Sequence, residues 1–256
     1  MEKIFDFENP KVWNHHIEPI MKKYIDNKIV KELLKLASKD NRYIEIEDIY
    51  AFTTNSIFTD IEEYIKQNNC YILLYHGTAT NNIKSYLENG LGILNSDERN
   101  KYTRKLFNKI EFPELTDDKF NTAIKEHLSY LGMKYREKRI SFMTHKQHLL
   151  ENETHYLVYG SEYVFILAQR LGYKYQSILK KKLKPTLLTC KVPLELLNNE
   201  FMEMVIENLI IKYIENIIYP KEIYRNDAEI YINKNLEAKH IIKYEYPENL
   251  ICTKFY

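Results

Sequence analysis

The chain has 256 residues, 45% of them hydrophobic, enough to bury a sizeable core in one main domain with an extension. Its 37 Lys and Arg nearly balance 36 Asp and Glu, and a net charge of +1 excludes an overall field that draws the chain to nucleic acid or an anionic membrane. Three widely spaced cysteines, Cys70, Cys190 and Cys252, argue against a disulfide framework and supply no paired-cysteine metal signature.

Glu2, Asp6 and Glu8 stand where a secretory signal needs a basic, then apolar, start, and no run of about 18 apolar residues occurs. The expectation is a cytoplasmic protein with no membrane association. From Ile20 to Leu36, Ile25, Ile29, Leu33 and Leu36 recur at helical spacing, as do Ile57, Ile61, Tyr64 and Ile65. Residues 1–67 therefore read as a helical N-terminal extension, a surface for a protein partner, with the boundary near Asn68. His15 and His16 beside Trp13 lack a further ligand at metal-site spacing and read as surface or interface histidines.

The second domain, 68–256, opens with an apolar run from Cys70 to Tyr75 that suits a buried strand. His76, Gly77 and Thr78 follow, then a short helix over 81–89 with Gly90 at its C-terminal cap. Residues 95–137 are charged and mixed and read as a helical insertion, with a helix from Asp118 to Leu131. Ile140 to Thr144 alternates like a strand, and Tyr156 to Tyr159 like another ending at Gly160. Ser161 is a natural N-cap for a helix with Val164, Leu167, Ala168 and Leu171 on one face, closed by Gly172. Thr186 to Val192 reads as a strand, Phe201 to Ile214 as an apolar helix, and Ala228 to Ile232 and His240 to Tyr246 as strands. The order lacks the regular alternation of a doubly wound sheet, so the fold class is α+β.

A His at a strand exit, followed by Gly, offers an imidazole and a bare backbone amide to a ligand. Tyr75-His76-Gly77-Thr78, with Asn82-Ile83 and Glu88-Asn89-Gly90-Leu91, resembles the opening motif of the ADP-ribosyltransferase superfamily of the poly(ADP-ribose) polymerase and diphtheria-toxin kind. Tyr159 to Phe165 with Ala168 is similar to that group's glycine-to-tyrosine stretch, Thr186 to Val192 to its next core strand, and Asp227 to Ile232 to the strand carrying its catalytic glutamate.

The resemblance implies a split antiparallel β core, NAD as substrate, and transfer of ADP-ribose to a protein or nucleic-acid acceptor, in the manner of a toxin or phage-defence effector. It implies that His76 bonds the adenosine ribose, the Gly77 backbone pairs with the nicotinamide amide, and Thr78 adjoins the ligand. Tyr163 stacks on the nicotinamide ring, and Glu229 holds the 2'-hydroxyl of its ribose. Asp227 positions the acceptor. Ser141, with Thr144, stands where one branch of the superfamily places a serine, although that branch begins with Arg instead of His. Glu162 occupies a place usually small or apolar, which leaves open whether Glu162 or Glu229 is the catalytic carboxylate and gives Glu162 a second candidate role at the acceptor. No metal is expected: His145, His148 and His155 lack a compact ligand spacing, and Cys190 reads as a buried small hydrophobe. Alternatives on the same scaffold are an NAD glycohydrolase, a catalytically inactive nucleotide- or protein-binding module, and an RNA 2'-phosphotransferase. The last needs basic residues around a phosphate, and the sequence displays no such arginine set.

Overall fold

The computed structural model describes residues 2–40, 44–54, 56–108, 111–129, 136–219 and 227–251. It is an α+β protein whose contacts divide it into two units, Met1–Leu74 with Lys191–Ala228, and Tyr75–Cys190 with Glu229–Tyr256. The extension read from sequence lies in the first unit, which also takes in residues 191–228.

The first unit is mainly helical. Strand β1 (Lys3–Phe5) runs parallel to the first residues of β2 (Cys70–Thr80), and Trp13 sets its ring edge on Phe5 while its indole N–H donates to the Asp6 carbonyl at 2.7 Å. The apolar stripe from Ile20 to Leu36 is divided between α1 (Asn14–Tyr24) and α2 (Asn27–Asp40), where a single helix was expected. The cause is Asp26, whose carboxylate accepts from the amides of Lys28 and Ile29 and so begins a new helix. Helices α3 (Ile46–Tyr50) and α4 (Ser56–Gln67) follow, α3 opened by a reciprocal Glu45–Asp48 capping box. The long α12 (Asn199–Ile218) packs against α2, α3 and α4, and buries residues around most of its circumference, Lys212 and Glu215 included as an ion pair at 3.3 Å. No helix among the described residues is long and apolar enough to cross a membrane.

In the second unit the strands follow the order β5-β3-β2-β4-β6, with β3 (Ile140–Met143), β4 (Lys184–Pro193), β5 (Glu229–Ile232) and β6 (Ile241–Glu245). The pairs β2–β3, β3–β5 and β4–β6 are antiparallel. Tyr75 stands opposite Met143, and Met143 opposite Glu229, so one transverse row crosses three strands. Helix α5 (Ile83–Asn89) is capped by Asn82, whose side chain accepts from the Ser85 amide. Gly90, at φ +77°, then turns the chain so that Leu91 and Leu236 exchange backbone hydrogen bonds at 2.8 and 2.9 Å.

Helices α6 (Ser96–Leu106) and α7 (Asp117–Ser129) occupy the segment read as an insertion; of the helix expected to reach Leu131, residues 130 and 131 lie outside the described residues. Beyond β3 come α8 (Lys146–Glu151), α9 (Thr154–Tyr159), α10 (Glu162–Leu171) and α11 (Tyr173–Lys182). The stretch from Tyr156 to Tyr159, expected as a strand, is helical. Short apolar runs fit either period, and here residues 154–159 make one helical turn closed by Gly160 at φ +87°. Helix α10 packs on α6, α7, α9 and α11, and its apolar face with Phe107, Phe112, Phe120 and Tyr175 forms the buried cluster beneath the cavity described below.

At Gly90 a Cβ would lie 2.0 Å from the Leu236 carbonyl oxygen, whereas one at Gly92 would meet nothing within 4 Å. Gly90→Ala is therefore expected to cost more than about 2 kcal/mol in urea unfolding, from the clash and the positive φ together. Gly92→Ala serves as the control and should leave the midpoint unchanged; equal midpoints for the two variants would contradict the assignment.

Candidate functional site

Strand β2 runs on to Thr80, so His76 lies within the strand and not at its exit as expected. The second half of β2, together with β3, the loop after α5 and the first turn of α10, encloses a cavity lined by His76, Gly77, Thr78, Ser141, Glu162 and Tyr163 among others. It spans about 840 Å³ of non-protein space, its open mouth included. These six are all residues singled out in the sequence, and they come from three separated segments.

Strand β2 supplies the imidazole. Nδ1 of His76 donates to the Ser141 carbonyl at 2.8 Å, since that oxygen can only accept, and Nε2 is thereby left as a lone-pair acceptor. Burial lowers the His76 pKa to about 4; the Ser141 hydrogen bond opposes that shift and the nearby Arg99 charge reinforces it. His76 is thus neutral at physiological pH. Its ring meets Phe142 edge-on, with centroids 5.8 Å apart.

Gly77 is a point of close packing. A Cβ there would stand 3.1 Å from Leu149 on α8 and 3.1 Å from Tyr156 on α9, so the small residue lets two helices close on the strand. The Thr78 hydroxyl lies 3.3 Å from the Tyr86 hydroxyl.

Across the cavity, Glu162 opens α10 after the Ser161 cap. Its carboxylate pairs with the Arg136 guanidinium at 2.7 Å and accepts from the Tyr156 hydroxyl at 3.3 Å, and Arg136 also donates to that hydroxyl at 3.0 Å. Burial raises the Glu162 pKa against the opposing pull of Arg136 and Tyr156, with the charges of Glu229 and Glu153 adding to the rise. Burial likewise keeps the Tyr156 phenol protonated.

Tyr163 lines the same cavity but is 2% exposed, with its hydroxyl donating to Asn100 at 2.8 Å and its ring set edge-on against His127, 4.3 Å between centroids. Neighbouring residues in sequence, Glu162 and Tyr163 thus differ: one turns a carboxyl to the cavity, the other is held in the core. Glu229 and Asp227 are exposed and do not line this cavity. Glu229 nevertheless adjoins it, since its register partner Met143 is a wall residue and its charge acts on Arg136, Tyr156 and Glu162. Asp227, expected to position the acceptor, precedes β5 and is not part of that strand.

Three arginines at this cavity escaped the sequence reading, Arg99 on α6 and Arg136 and Arg139 just before β3. Arg139 stacks on Tyr231 at 3.9 Å. Each stands in a charged stretch where composition gives no sign of which face it takes, and only tertiary packing, of α6 on α10 for Arg99 and of β3 against β2 for Arg136 and Arg139, assembles them. A second cavity adjoins the first and shares Thr78, Tyr86, Arg99 and Ser161 with it. Among the described residues no group of three or more His, Cys, Asp or Glu is arranged to hold a metal ion.

His127, fully buried under Tyr163, has no hydrogen-bond partner for either ring nitrogen among the described residues, and burial, with a smaller effect of Arg170, lowers its pKa to about 4. A histidine whose folded pKa lies below its unfolded value of about 6.5 costs no stability above that pH, and costs progressively more as pH falls towards 4. Stability should therefore drop by about 2 kcal/mol on this account between pH 7.5 and pH 5. Urea midpoints of His127→Leu should show a shallower acid slope than the wild type; parallel slopes would contradict the burial of a neutral imidazole.

Comparisons of the chain with protein-family models, with curated proteins and with solved structures find no match.

Proposed function

We propose that the second unit binds NAD and transfers its ADP-ribose, with the cavity around His76 as the donor site and Glu229 as the catalytic carboxylate. The observation that carries this reading is the strand order β5-β3-β2, which puts His76 and Ser141 in the cavity wall and brings Glu229 next to it, opposite the wall residue Met143. The motifs noted in the sequence supply the family resemblance, and the cavity supplies groups of the right chemistry.

In this reading the nicotinamide end lies against Gly77 and Ser141. The neutral His76 accepts a ribose hydroxyl through Nε2, a role that its low pKa preserves. The C–N glycosidic bond breaks with its electron pair leaving on nicotinamide, which departs neutral. The ribosyl carbon becomes oxocarbenium-like, and the Glu229 carboxylate, bound to the 2'-hydroxyl, stabilises that positive charge more in the transition state than in the ground state. The acceptor nucleophile then adds to the ribosyl carbon and yields its proton to solvent or to a carboxylate. Glu162, with its raised pKa and its place in the cavity wall, is suited to that proton. With water as acceptor the same steps give NAD hydrolysis.

A second reading is favoured by one observation: Glu229 is exposed, as a catalytically inactive binding module would leave it. The RNA 2'-phosphotransferase alternative gains the three cavity arginines, although Arg136 is already engaged by Glu162.

Nicotinamide release from NAD, measured for purified wild type, Glu229→Gln and Glu162→Gln with and without cell lysate, separates these. The transferase reading predicts release that falls about 100-fold or more in Glu229→Gln, with label passing to lysate macromolecules. Loss confined to Glu162→Gln would move the catalytic role to that residue. NAD binding without release by the wild type would establish the binding module.

A further inference from the structure

The donor reading leaves Arg99 and the second cavity without a role. Arg99 is half-buried on α6 and lines both cavities, with no carboxylate partner among the described residues. Its charge acts on His76 on one side and on Tyr102 on the other. A half-buried guanidinium is costly without an anion, and a diphosphate meets it with charge-assisted, bidentate hydrogen bonds. Beyond Arg99 the second cavity carries the rings of Tyr86, Tyr102 and Tyr159, which offer stacking surface, and the hydroxyls of Thr80 and Ser85. A cation between an imidazole-bearing chamber and a tyrosine-lined one matches a nucleoside diphosphate, charged at its centre and aromatic at its end.

We propose that Arg99 binds the diphosphate of a nucleoside-diphosphate ligand whose base lies among Tyr86, Tyr102 and Tyr159 in the second cavity. This rests on the donor reading for the identity of the whole ligand as NAD, but the site is defined by its own residues. It makes α6, within the segment read from sequence as an insertion, a positioning element of the binding site, and it explains why the helix presents an unpaired arginine inward while its acids, Asp97 and Glu98, lie exposed in its first turn.

The test is calorimetric titration of the full chain with ADP, AMP and adenosine, for wild type, Arg99→Gln, Arg99→Lys and Tyr102→Ala. Wild type is expected to bind ADP about tenfold or more tightly than adenosine, and Arg99→Gln to abolish that preference. Arg99→Lys, which keeps the charge, should retain part of it and shows that the site still folds. Tyr102→Ala should weaken ADP and adenosine alike. Absence of ADP binding to the wild type, or an ADP preference intact in Arg99→Gln, would overturn the inference. The two proposals fail separately. A wild type that binds ADP through Arg99 yet releases no nicotinamide keeps this site and removes the transferase. One that turns over NAD with an unchanged KM in Arg99→Gln keeps the transferase and removes this site.

Discussion

The second unit is organised by a contact at Gly77, where the backbone of β2 comes so close to Leu149 and Tyr156 that a single added methyl group would press on both at 3.1 Å. Closing α8 and α9 on the strand at that point fixes Tyr156, and Tyr156 holds Arg136 and Glu162 through its hydroxyl. The same strand, one residue earlier, presents His76 to the carbonyl of Ser141 on β3. One close approach of main chain and side chain therefore sets the width of the cavity and the placement of groups on opposite walls. Side chains so packed tolerate few alternative rotamers, which keeps the site in one arrangement.

The electrostatics follow from this packing. Partial exclusion of water lowers the His76 pKa and raises that of Glu162, so an acceptor nitrogen and a carboxyl of reduced acidity face a common space. Groups driven apart in this way are suited to opposite roles in proton transfer. Arg136 offsets the cost of burying Glu162, and the exposed Glu229 keeps an ordinary carboxylate's hydration at the rim. Such a carboxylate stabilises a cation only once a ligand and its acceptor displace water around it. In the transferase reading proposed above, catalysis at Glu229 depends on closure of the site by its own substrates.

Much of this was legible in the residues. The strand from Cys70, the cap at Ser161, the positive-φ glycines Gly90 and Gly172, and the strands around Ser141 and Glu229 each have a local cause that sequence displays, namely an apolar run, a side-chain acceptor or a glycine after a helical stripe. What stayed hidden depends on partners distant in the chain. The helical turn at Tyr156 is decided by its packing against Gly77 and α8, not by its own four residues. The break at Asp26 is the local exception, a cap on the amides of both Lys28 and Ile29 within a stripe that runs on in register. Tyr163 and Glu162 exchange their expected prominence because α10 must turn its larger apolar face to Phe107 and Tyr175. The arginines at the cavity sit among many other charges, and only tertiary packing selects the three that line it.

The central claim is that the space between His76, Ser141 and Glu229 is an NAD site. A crystal structure of the protein with a non-hydrolysable carbocyclic NAD analogue tests it most directly. The account predicts the nicotinamide end against Gly77 and Ser141, and the Glu229 carboxylate about 2.6–3.2 Å from the hydroxyl that stands for the ribose 2'-OH. An analogue bound outside this cavity, or bound within it while Glu229 remains turned to solvent, would contradict it.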